Sequence, residues 1–196
     1  MICDNSLRMS QDMSAIRAAL EVFGLRVHLY DLVQKRNALE VLTGGFPECE
    51  FVILCCHGGS DPDGGPQINL EVMNQIDGDY DKFGGWETTM ISLTPANIPD
   101  YFSGNGRTLI SIACGSGQEV FAQAFLQAGF KAYIAPRPAA HINSIILFVI
   151  GFFYHLLAAT RLEDEPLHHT HQEAVALAAQ ADADYTQGTR AFHYYS

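Results

Sequence analysis

The sequence predicts an α/β protein, a three-layer α/β/α sandwich around a mainly parallel sheet. Two nearly continuous apolar runs, Glu50 to Cys56 and Thr108 to Ala113, read as strands covered on both faces, as a parallel sheet requires. Segments of helical periodicity separate the strands almost throughout. With 196 residues, 48% of them hydrophobic, the chain can bury a substantial core as one domain, 1–196.

The elements follow in order. Between Asp12 and Phe23 the apolar residues Ile16, Ala19, Leu20 and Phe23 recur at helical spacing, and Gly24 is a natural stop. Leu25 to Tyr30 (LRVHLY) alternates as a strand does, and Asp31 is placed to cap the helix LVQKRNALEVL, which ends at Gly44-Gly45. After the Glu50–Cys56 strand, a segment rich in Gly and Asp from His57 to about Glu87 reads as a long loop with one short helix near Leu70 to Ile76. Thr88 to Leu93 reads as a strand, and Thr94-Pro95 as a cap with proline at the first helical position, Pro99 keeping that helix short.

Beyond Thr108–Ala113, Ser116 and Glu119 have the spacing of a capping box, opening a helix that carries Val120, Phe121, Ala124, Phe125 and Ala128 to a stop at Gly129. Lys131 to Ala135 is a short strand. An apolar helix around Ile145 to Phe153, an alanine-rich helix from about His171 to Ala183 and a candidate edge strand, RAFHYYS, complete the chain. The core of the domain spans about 22–157, and the last helix and strand occupy 166–196.

Composition narrows the function. A formal net charge of -11 with only 11 Lys and Arg residues argues against a nucleic-acid partner, since phosphate binding depends on clustered cations. Cys3, Cys49, Cys55, Cys56 and Cys114 are odd in number, two are adjacent and no framework spacing appears, which points to a reducing cytoplasm. MICDNSLRMSQD lacks the apolar centre of a secretory signal. The stretch Ile142 to Ala159 is interrupted by Asn143, Ser144, Tyr154 and His155 and reads as a buried helix, so no membrane association is expected.

In open parallel sheets, ligands bind beyond the carboxyl ends of the strands. Two strands end on chemically competent residues, FVILCCHG on His57 and TLISIACGSG on Cys114. If those strands are neighbours, their ends stand roughly 5 Å apart. A thiol is activated by a nearby His or a helix N-terminus, and the capping box sets Cys114 just ahead of a helix. Gly58 and Gly115 leave backbone amides accessible to a carbonyl oxygen. One strand-end cysteine reads as packing; the matched pair reads as a dyad.

Other constellations fall short. Cys55 and Cys56 point to opposite faces of a strand and so do not share a zinc ion with His57. His168, His169 and His171 have no HExxH frame. Asp77, Asp79 and Asp81 open like a calcium loop, but Lys82 and Thr88 stand where its glycine and closing glutamate belong. Gly115-Ser116-Gly117 lacks the third glycine of a dinucleotide fingerprint, Val120 standing there. Neither a metal nor a cofactor is expected.

An apolar strand ending in His-Gly, about 50 residues before a second ending in Ala-Cys, resembles the clan CD cysteine peptidases. These are the caspase, legumain, gingipain and clostripain group with its CHAT-domain relatives. The resemblance covers roughly Val22 to Leu157, including the helix GSGQEVFAQAFLQAG and the strand KAYIA. It implies a caspase-like fold, Cys114 as nucleophile, His57 as general acid/base, the Gly58 and Cys114 amides as oxyanion hole, and a protein or peptide substrate. Ile112 stands where caspases carry Gln and legumain-like enzymes an acid, so caspase-type aspartate specificity is not implied.

Specificity is read instead from the segment after His57. Asp61, Asp63, Glu71, Asp77, Asp79 and Asp81 oppose one cation, Lys82, and favour a basic residue on the acyl side of the cleaved bond. Asp61 and Asp63 are the nearest of these to His57. Turn formation is the competing role for such residues. The competing function is a non-catalytic caspase-like or flavodoxin-like module that binds a protein or nucleotide.

Overall fold

The computed structural model describes residues 1–3, 7–32, 34–45, 48–75, 86–137, 139, 141–157, 169–185 and 192–196. The chain begins with β1 (Ile2–Cys3), α1 (Leu7–Val22), β2 (Tyr30–Asp31), α2 (Lys35–Leu42) and β3 (Phe51–Cys55). β4 (His57–Ser60), β5 (Pro66–Gln75), β6 (Trp86–Leu93), α3 (Ile98–Tyr101) and β7 (Thr108–Ser111) follow. The rest is α4 (Glu119–Gln127), β8 (Ala132–Pro136), α5 (Ile142–Leu157), α6 (His171–Tyr185) and β9 (Phe192–Tyr195).

The main sheet has six strands in the order β2-β1-β3-β7-β8-β9. Every neighbouring pair is parallel except β8 with β9. β3 shows why its sequence is apolar without a break: successive side chains enter different cores. Val52, Leu54 and Cys56 join one cluster with residues of α2, α3 and α4, whereas Ile53 and Cys55 join another with α1, α5 and α6. Helices therefore cover both faces, which makes three layers, and Cys55 and Cys56 lie on opposite sides of the sheet.

The segment after β3 departs from expectation. It forms a second, antiparallel sheet, β4-β5-β6, rather than a loop with a helix at Leu70. Ile68, Leu70 and Val72 alternate with less buried neighbours and pack into the cluster shared with α2. Ladder pairing from Ile68↔Leu93 to Gln75↔Trp86 overrides any local preference for helix.

Other boundaries moved for local reasons. Leu25 to Leu29 stays outside the ladder, in which β1 pairs with Tyr30 and Asp31. Asp31 lies in that ladder, and α2 begins four residues later, at Lys35, with Gln34 as its N-cap. α3 starts beyond Pro95 with Asn97 at its N-cap, whose amide side chain accepts from the Thr94 N–H at 2.8 Å and donates to the Ser92 carbonyl at 3.1 Å. Gly24 ends the first helix in the left-handed region, at φ +88°. Among the described residues, no helix is long and apolar enough to cross a membrane.

Candidate active site

β3 and β7 are direct neighbours, in register from Phe51↔Thr108 to Leu54↔Ser111. Three residues beyond the last pair, one chain reaches His57 and the other Cys114. The two arrive at the same level of the sheet, at the carboxyl ends of parallel strands.

Gly58 fixes how closely they approach. A Cβ built on Gly58 would fall on the Cys114 carbonyl oxygen and lie 2.9 Å from its nitrogen, so the two backbones touch and only glycine fits. The first residue of β4 is thereby held against the turn that carries the thiol. Cys114 is half-buried and His57 is exposed, while Cys3, Cys55 and Cys56 are buried. Cys49, the other partly accessible thiol, precedes the opposite end of β3.

The Cys114 turn rests on a buried polar scaffold. Gly115 takes φ +69°, a left-handed turn position suited to glycine. The Ser116 hydroxyl donates to the Ala113 carbonyl at 2.7 Å and shares a 2.9 Å hydrogen bond with the Ser111 hydroxyl. From β8, the Tyr133 hydroxyl donates to the Ser116 carbonyl at 2.9 Å, and the Gly117 N–H donates to the Pro136 carbonyl at 2.8 Å. From β9, the Tyr195 hydroxyl donates to the Gly117 carbonyl and accepts from Arg137 Nε at 3.1 Å. Burial pushes the Tyr133 phenol well above its usual value, so it serves as a neutral donor.

This scaffold replaces the expected capping box. α4 begins at Glu119, its N-cap is Gln118, and no side chain caps it. Ser116 faces the strands instead. The positive end of the helix dipole, whose effect fades within a turn, therefore sits five residues past Cys114 rather than against it. Ser111, Tyr133 and Tyr195 were missed as members of the site. A buried-strand tyrosine ahead of two prolines was the available signal for Tyr133, since a buried phenol seeks a partner.

Over nearly its whole length, the arrangement of strands and helices has a counterpart among solved structures. The fold is similar to that of gingipain R. The crystal structure of that Arg-specific cysteine proteinase matches 97% of this chain with a TM-score of 0.57 and 13% sequence identity. The chain spans only 42% of the gingipain chain, and at this identity the likeness concerns the mixed α/β, caspase-like fold alone. No protein-family model matches the sequence. No curated protein matches it either.

The acids after His57 are placed apart from His57 and Cys114. The Asp61 carboxylate accepts from the Asp63 N–H at 3.0 Å and the Gly65 N–H at 2.6 Å, closing the turn between β4 and β5. Asp63 is exposed in that turn. Both stand four or more residues of extended strand from His57, on the order of 13 Å for Asp61. Glu71 lies on β5, and Asp77, Asp79, Asp81 and Lys82 fall outside the described residues. His168 is also outside them, whereas His171 packs against Phe51 and Phe152 at the far end of the sheet. Among the described residues, no three His, Cys, Asp or Glu side chains converge as a metal site.

Proposed function

We propose that this protein is a cysteine endopeptidase in which Cys114 is the nucleophile and His57 the general acid and base. The observation that carries the reading is the β3–β7 register, which ends both strands at one level, with Gly58 packed on the Cys114 backbone. His57 takes the proton of the Cys114 thiol, the sulfur attacks the scissile carbonyl carbon, and the carbonyl π electrons move to oxygen. The amides of Gly58 and Cys114 receive that oxyanion. As the tetrahedral species collapses, the C–N bond breaks and the His57 imidazolium gives its proton to the departing amine. Water, deprotonated by His57, then attacks the thioester and releases the acid, returning the thiol and imidazole to their starting state.

A basic residue on the acyl side of the cleaved bond fits the acidic β4–β5 turn. Asp61 is occupied in holding that turn, so the acids act as a rim that concentrates cations rather than as a contact pocket. Gingipain R is an Arg-specific proteinase, which is a property of that protein.

The test is labelling by an acyloxymethyl ketone with Arg at its acyl end, read by peptide mass spectrometry. The expected result is modification of Cys114 that falls by about 10² or more in His57→Ala, the scale of lost acid-base catalysis. Labelling of Cys49 instead, or labelling indifferent to His57, overturns the assignment and favours a non-catalytic binding domain.

A further inference from the structure

The second sheet sets a polar row beside His57. In the β4–β5 ladder His57 stands directly opposite Asn69, and in the β5–β6 ladder Asn69 stands directly opposite Ser92. Residues opposite each other in an antiparallel ladder share a face, with Cβ atoms about 5 Å apart. The other face carries Ile68, Leu70, Ile91 and Leu93 into the core, so His57, Asn69 and Ser92 lie together on the outer one. The Asn69 carboxamide reaches towards both neighbours. The Ser92 hydroxyl donates to its Oδ1 at 3.1 Å, and a Cβ built on Gly59, two residues past His57 on the same face, would come within 3.1 Å of its Nδ2. Glycine at 59 leaves the amide room to lie over β4.

Building on the peptidase reading, we infer that Asn69 is the positioning residue of His57, its side-chain oxygen accepting the N–H of the imidazole nitrogen that faces away from Cys114. A histidine that takes a proton from a thiol presents a bare nitrogen to the sulfur. In the neutral ring the other nitrogen then carries hydrogen, and an acceptor placed there fixes both the tautomer and the orientation of the ring. His57 needs such a partner, because its side chain is exposed and the next two residues of β4 are glycines that offer no side chain to hold it.

Ser92 anchors the far end of the row. A carboxamide keeps its outline when turned over, and a hydroxyl donates as readily as it accepts. With Oδ1 towards β4, the Asn69 amide gives an Nδ2 hydrogen to Ser92 Oγ and keeps its oxygen for the imidazole. Ser92 is itself fixed, since its carbonyl accepts from Asn97 Nδ2 at 3.1 Å and its neighbours Ile91 and Leu93 are buried. The competing acceptor on this face is Glu71, two residues further along β5 and roughly 7 Å from Asn69. Asn69 is favoured because the ladder sets it directly across from His57.

The experiment follows the ring nitrogens of His57 by nitrogen–proton NMR correlation in the full chain carrying isotope-labelled histidine, with His57→Gln assigning the signals. Modification of Cys114 by the Arg acyloxymethyl ketone is timed alongside. The expected result is one dominant tautomer in the parent chain and a mixture of both in Asn69→Ala. The maximal labelling rate of that variant should fall about 10- to 100-fold, the range for a histidine that loses its outer partner, with little change in the half-saturating ketone concentration. Asn69→Asp, which accepts at either oxygen, should restore the single tautomer and most of the rate, and Ser92→Ala should lie between the parent and Asn69→Ala. An unchanged tautomer in Asn69→Ala overturns the inference, as does a tautomer lost in Glu71→Gln instead. A tautomer that reverses in Asn69→Asp overturns it too, because Nδ2 would then have been donating to the ring. If the ketone leaves Cys114 of the parent chain unmodified, the peptidase reading falls, and the nitrogen signals still decide whether Asn69 holds the ring.

Discussion

Gly58 and Ser116 carry as much of the candidate site as the His57 and Cys114 side chains do. Gly58→Ala drives a methyl group into the Cys114 carbonyl, and backbone on both sides leaves little room to yield. We expect a loss of about 1–3 kcal/mol in urea unfolding, the cost of overpacking, together with lost labelling of Cys114. Ser116→Ala removes a hydroxyl that bonds both Ser111 and the Ala113 carbonyl, leaving buried polar groups short of a partner. The expected cost is about 1–3 kcal/mol. Cys114→Ala, at a half-buried turn position, should abolish turnover while moving the unfolding midpoint little; unchanged turnover ends the mechanistic claim. The sequence made His57 and Cys114 legible because each closes an apolar strand. Ser116 was misread because Ser-x-x-Glu signals a helix cap only when the serine is not taken by a nearer acceptor, here the Ala113 carbonyl.

At the scale of elements, the strands of the main sheet were legible wherever burial on both faces left a continuous apolar run. β1 was not, since two residues carry no period, and of the strand expected at Leu25 to Tyr30 only Tyr30 stands in the ladder. β5 was available in the alternation of Ile68, Leu70 and Val72 but was masked by the glycines and aspartates before it. Leu70 is fully buried under α2, so Leu70→Ala should cost about 2–5 kcal/mol, a size expected only if β5 is part of the core. A change below 1 kcal/mol would return the segment to the loop class. α6 has a pH-sensitive contact of its own. His171 lies against Phe51 and Phe152, near Glu50 and the Thr108 hydroxyl. Burial first, and Lys131 second, hold its imidazole below the usual value, with Glu50 opposing. The unfolded chain therefore takes up a proton that the folded chain refuses, and stability is lost as pH falls below about 6.5 toward the folded value. Thermal unfolding from pH 7.5 to 5 should show a shallower decline in His171→Gln than in the parent chain.

For the whole molecule, the decisive quantity is charge rather than shape. A net charge of -11 gives a general attraction for cations, while the β4–β5 turn carries Asp61 and Asp63 just past the end of the strand that begins at His57. These two influences differ in range, and salt separates them. The Debye length falls from about 30 Å at 0.01 M salt to about 10 Å at 0.1 M, so an acidic rim on the order of 13 Å from the dyad is felt in the first condition and largely screened in the second. If the protein cleaves after Arg or Lys by electrostatic steering, kcat/KM for such peptides should fall severalfold over that range, while that for a neutral peptide of the same length stays level. Asp63→Asn should reduce the slope without unfolding the turn, because that side chain is exposed and the turn is closed by Asp61. Asp61→Asn should instead lower stability. A preference for Arg or Lys that persists unchanged at high salt would mean that a carboxylate contacts the substrate cation directly, moving the determinant away from the β4–β5 turn. Equal salt profiles with no preference for a basic residue would remove the acidic rim from any account of specificity and leave the acids as turn formers.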